Sequence, residues 1–107
     1  MKKSFLLLVV FCLLASFSSV AYASNVRGVV AYYNYSSDKI IIETSMGFTC
    51  GEIYGYAGTL SEGDTVVGEL ESYGFHDIYD ISHDRSIRIY IDEYWLNAER
   101  ALEWLGR

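Results

Sequence analysis

Proline is absent from the chain and cysteine nearly so, with Cys12 inside an N-terminal apolar segment and Cys50 alone beyond it. With no proline, no low-complexity run and no internal repeat, nothing in the sequence marks a linker, and the chain reads as one folding unit. A lone thiol closes no intramolecular disulfide, so stability has to come from packing. Basic residues are also scarce, 8 Lys and Arg against 14 Asp and Glu. A surface of that sign repels a phosphate backbone, which argues against nucleic-acid binding. Histidine is limited to His76 and His83. Finally, the longest apolar run, Phe5 to Ala15, is shorter than the about 20 residues a membrane-spanning helix needs.

That run has another meaning. Met1-Lys2-Lys3, the apolar stretch and a small-residue site at Ala21-Tyr22-Ala23 together form the pattern of a secretory signal peptide, residues 1–23, with Ser24 as the first residue of the exported chain. Phe11 is too bulky for the residue before a lipid-modified cysteine, so Cys12 belongs to the discarded leader and no stable membrane anchor survives processing. The expected location is periplasmic or secreted. What remains is 24–107, 84 of the 107 residues, with 6 basic and 14 acidic side chains and a net charge near −8. A domain of this size buries only about 60–65% of the surface its unfolded chain exposes, so its packing has little margin.

Aromatic and β-branched residues fill that domain in strand-like alternation. The stretch Leu60–Tyr73 begins with a turn at Ser61-Glu62-Gly63-Asp64 and continues as a half-buried strand, with Val66, Gly68 and Leu70 on one side and Val67, Glu69, Glu71 and Tyr73 on the other. A glycine inside such a strand marks a bend or a close backbone approach. Val26–Tyr35 and Lys39–Thr44 form a hairpin around Ser36-Ser37-Asp38, with Ile40 and Ile42 as the expected core face. In Val26–Tyr35 both parities are apolar, and the sequence does not choose between them. Phe48–Tyr54 is a third strand, followed by a flexible connection through Gly55 and Gly58. Phe75–Ile81 and Ile87–Ile91 flank a polar loop at 82–86. Matching Ile81 with Ile87 predicts an exposed Asp80–Arg88 ion pair.

Asn97 is a good N-cap, Ala98–Leu105 a short helix, and Gly106 a glycine at its C-terminal end. Its apolar side reads as Ala101, Leu102 and Leu105, expected over an open barrel end with Trp104 at the margin. The expected fold is therefore all-β: a small barrel or rolled antiparallel sheet of five to six strands, OB-like or SH3-like, with one C-terminal capping helix.

Candidate chemistry is sparse, and no residue reads as catalytic. Cys50 shares a face with Phe48 and Tyr54, which suits a buried packing residue. Glu69 and Glu71 lie roughly 7 Å apart on one strand face, the separation of a glycosidase carboxylate pair. His76, Asp77, Asp80, His83 and Asp84 crowd potential metal ligands together, with His76 and Asp80 able to share a face. Tyr73 and Tyr90 stand on outward faces, where amphipathic rings suit binding. The expected function is a non-enzymatic, exported binding module meeting a protein or envelope component through Tyr73, Tyr90, Glu69 and Glu71, with no cofactor. A small hydrolase using Glu69 and Glu71, or a divalent-cation binder around His76 and Asp80, are the alternatives.

Overall fold

Strand alternation closes on itself in the computed structural model, which describes residues 25–55 and 60–107. The expected leader with its cleavage site, and most of the Gly55–Gly58 connection, lie outside these residues. Six strands are present: β1 (Asn25–Asn34), β2 (Lys39–Thr44), β3 (Gly47–Ile53), β4 (Thr65–Glu69), β5 (Gly74–Asp80) and β6 (Arg85–Leu96), followed by helix α1 (Ala98–Leu105). They form a closed barrel in the order β1-β2-β3-β6-β5-β4, with every neighbouring pair antiparallel. Two meanders, β1-β2-β3 and β4-β5-β6, thus join along β3–β6 and β1–β4, and closure leaves no free sheet edge. No helix among the described residues is long and apolar enough to cross a membrane.

Inward-facing Val30, Ile40, Ile42, Val66, Leu70, Ile78, Ile87, Ile89 and Ile91 fill the interior together with Ile53 and Leu60. The ambiguous first strand resolves through a bulge. Val30 pairs with Ile42 but Tyr32 with Ile41, so Ala31 is the extra residue and the facing parity changes there. Val30 points inward before the bulge and Tyr33 packs on the core after it, so both apolar sets are used. On β4, Val66, Gly68 and Leu70 are buried as the alternation required, although pairing ends at Glu69, short of Tyr73. The glycine marks a close approach: a Cβ on Gly68 would lie 2.7 Å from Ile78 Cγ2. One buried polar group crosses the interior, Thr49 Oγ1 donating to the Leu70 carbonyl at 2.8 Å.

Two expectations fail in β5 and β6. The observed register pairs Ile78 with Ile87 and Asp77 with Arg88, three residues away from an Ile81–Ile87 match. An odd shift exchanges the faces of a strand. Asp80 is consequently buried beside Val66 and opposite Arg85, while Phe75, Tyr79 and Ile81 are exposed. The ion pair is Asp77–Arg88, bidentate at 3.0 and 3.3 Å. Isoleucines at 78, 81, 87, 89 and 91 satisfy either register locally. Packing against β4 decides, because Val66 and Val67 pair with Asp80 and Tyr79.

Helix α1 has the expected bounds, and Asn97 caps it by accepting from Arg100 N at 2.8 Å. It does not cover an open end. The interior is filled from the strands, whereas Ile41 and Cys50 point outward from the wall, and the helix lies over them with Ala101 and Trp104 as its buried residues. Leu102 is 65% exposed and Trp104 2% exposed, the reverse of the expected orientation. Gly106 keeps a right-handed conformation at φ −80°, and its freedom is unused.

Candidate functional site

Register builds an aromatic face on the outside of the barrel. Phe75 and Tyr90 are direct partners across β5 and β6, and their rings meet edge to face with centroids 4.9 Å apart. Tyr54 continues the face from the end of β3. Its N–H donates to the Arg88 carbonyl at 2.8 Å, which sets its ring 5.0 Å from Phe75 and 6.4 Å from Tyr90. Despite these contacts, Tyr54, Phe75 and Tyr90 stay 60, 54 and 36% exposed.

Tyr73 lies two residues before Phe75 and packs on Tyr94 at 4.8 Å, and Tyr94 in turn meets Trp95 at 5.3 Å. Trp95 holds φ at 61°, a left-handed conformation rarely adopted by a bulky side chain. Its indole N–H donates to Glu71 at 2.8 Å. The two tyrosines singled out from sequence, Tyr73 and Tyr90, are thus exposed but belong to separate ring clusters. The sequence does not show Phe75 as part of this face, because matching Ile81 with the inward Ile87 puts Phe75, on the same side of β5 as Ile81, inward as well. Nothing local indicated Trp95, whose position follows from irregular pairing between β3 and β6.

The carboxylates Glu69 and Glu71 do not work as a pair. Glu71 binds Trp95, whereas Glu69 Oε2 lies 3.1 Å from His76 Nδ1 and accepts from Ser72 Oγ at 3.0 Å. Ser72 Oγ is also 2.9 Å from His76 Nε2, so serine, histidine and glutamate are grouped as in a nucleophilic triad. Competing contacts oppose that chemistry: the Ser72 hydroxyl donates to Glu69 and not to the ring. His76 Nε2 faces the carbonyls of Ser72 and Tyr73, both at 3.2 Å, which it meets only as a donor. In the tautomer that donates there, Nε2 has no lone pair with which to take the serine proton. The trio ties the β4–β5 turn together.

His76 and Asp80 do share the inward face of β5, but four residues of strand separate them by about 13 Å, too far for one ion. Asp80 instead meets Asp64 and His83. Asp64 precedes Val66 by two residues and lies on its face, and Val66 pairs with Asp80, so the two acids converge at one end of the barrel. The β5–β6 turn folds His83 back over them, its Nδ1 2.9 Å from Asp64 Oδ2 and 3.1 Å from Asp80 Oδ2. Side-chain exposure is 10% for Asp64, 1% for Asp80 and 32% for His83.

Cys50 is fully buried under the helix, and burial, with Glu93 and Asp92 adding to it, pushes its thiol up to about 12. That environment suits packing and opposes a thiolate nucleophile. No protein-family model matches the chain, and no curated protein or solved structure is found similar to it.

Proposed function

We propose that the protein is an exported, non-enzymatic binding module whose outer aromatic face receives a basic segment of a protein partner. The observation that supports this reading is the exposed cluster of Tyr54, Phe75 and Tyr90, large rings held rigid by edge-to-face packing yet open to solvent. Rigid aromatic surface lowers the entropic cost of binding and supplies the anchors typical of interface centres. Charge favours a basic occupant. Glu52 is the β3 partner of Tyr90, the neighbouring Arg88 is already paired with Asp77, and the chain beyond the expected leader carries a net charge near −8. Such a surface resists a second copy of itself and attracts lysine or arginine, whose cations gain further from aromatic faces within about 6 Å. The separate engagement of Glu69 and Glu71 weighs against the hydrolase reading.

The test is an NMR titration with a short arginine-rich peptide and with its glutamate counterpart. The basic peptide is expected to move ring resonances of Tyr54, Phe75 and Tyr90, the acidic one to leave them in place, and the double variant Phe75→Ser, Tyr90→Ser to bind neither. Equal binding by wild type and double variant, or shifts confined to another surface, would overturn the reading.

A further inference from the structure

We propose that Asp64, Asp80 and His83 form a binding site for a divalent transition-type cation, with zinc as the ion whose preferences fit. The reading is independent of the aromatic face, which lies on the outside of the wall.

Three features converge. The donor set is one imidazole nitrogen and two carboxylates, each a ligand type that zinc takes, and three protein ligands leave the fourth position of a tetrahedral ion open. The spacing fits: ligands about 2.0–2.1 Å from a tetrahedral ion stand roughly 3.3 Å apart, while Nδ1 lies 2.9 and 3.1 Å from the two Oδ2 atoms, and all three donors fall within 4.8 Å of one another. The two separations from Nδ1 need to open by only a few tenths of an ångström. The third feature is the convergence of like charge. Asp64 Oδ2 and Asp80 Oδ2 both lean on His83 Nδ1, which carries at most one hydrogen, although Asp80 is almost wholly removed from water. Backbone N–H groups of Ser61 and His83 also serve these carboxylates, but two buried carboxylates converging on one nitrogen repel each other, and a cation in that place offsets the repulsion.

Surrounding contacts hold the donors in position. Ser61 N donates to Asp64 Oδ2 at 2.9 Å and His83 N to Asp80 Oδ1 at 3.3 Å. The turns carrying them are joined by Thr65 N to Ser82 Oγ and Ile81 N to the Thr65 carbonyl, each at 2.9 Å. Such partners orient metal ligands and strengthen binding. The part-exposed imidazole gives the ion a path inward. On binding, the ion replaces the Nδ1 hydrogen: from a doubly protonated ring one proton leaves to solvent, and from the neutral ring the proton moves to Nε2.

The experiment adds zinc chloride to the protein and follows it by calorimetry and by the ring resonances of its two histidines. One equivalent of zinc is expected to saturate the protein and to move His83 while leaving His76 unchanged. His83→Gln should weaken binding at least about 10-fold, Asp64→Asn likewise, and His76→Gln should have no effect. If His83→Gln does not fold, the wild-type histidine resonances and Asp64→Asn decide. Absence of saturable binding, a response at His76 instead of His83, an unchanged affinity in His83→Gln, or binding of calcium without zinc would each overturn the proposal.

Discussion

The Lys39 ammonium stands 4.9 Å from the centroid of the Trp104 ring and donates to the carbonyls of Leu105 and Arg107, both at 3.2 Å. The first residue of β2 therefore closes the end of α1 beyond the carbonyl of Glu103, which accepts from Gly106 N at 3.1 Å. Since a helix of eight residues has little stability of its own, this contact and the burial of Trp104 against Ile41 and Cys50 are what keep it in place.

Trp104→Ala is accordingly expected to cost about 3–5 kcal/mol. Leu102→Ala, on the exposed side, should change stability by less than about 0.5 kcal/mol. Urea melts of both variants make the comparison; equal midpoints would mean that the helix does not dock as described.

The buried thiol gives a second prediction. At pH 8, Cys50 in the native protein should react with a thiol reagent only at the rate of unfolding, and fast once denatured. The pH dependence has a definite sign. Because the folded thiol is raised from its ordinary 9.0 to about 12, the unfolded chain loses this proton first. This contribution to stability is intact below pH 9.0 and declines as pH rises toward about 12. Native-state labelling as fast as that of denatured protein would contradict the burial.

Asp77 supplies a third. Its hydrogen bonds from Arg88 hold its carboxyl below the ordinary value of 3.8, so the pair contributes above that pH and its effect is lost as pH falls through the folded value. Both side chains are more than half exposed, and salt should weaken the effect. A carbon-detected NMR titration should show Asp77 returning toward 3.8 in Arg88→Gln; an identical titration in both proteins would leave the depression without its cause.

Two inward glycines separate a side-chain clash from a backbone clash. A Cβ on Gly51 would lie 2.2 Å from the Tyr90 carbonyl oxygen, and one on Gly68 2.7 Å from a methyl of Ile78. A methyl relaxes more easily than a paired strand. Gly68→Ala should cost about 1–3 kcal/mol, and Gly51→Ala more than Gly68→Ala. Thermal melts in which Gly51→Ala was the milder change would show that β6 yields more easily than its pairing implies.

Local chemistry carried much of this architecture. Alternation in Thr65–Leu70 and Ile87–Ile91, the turn residues between the strands and the Asn97 cap are short-range properties, so the strands, the inward isoleucines of β2 and β6 and the bounds of α1 were legible in the sequence. The Ala31 bulge, the Ile78–Ile87 register and the docked side of α1 were not, because each depends on what a second element presents. Leu102 and Trp104 are both apolar, and only the outward Ile41 and Cys50 decide which is buried. The same holds for the candidate sites: an odd register shift turned Phe75 outward and Asp80 inward, and closure of β4 on β5 brought Asp64, sixteen residues away in sequence, within reach of Asp80 and His83. Side-chain type and spacing are written along the chain, whereas which face a strand buries is fixed by its neighbours.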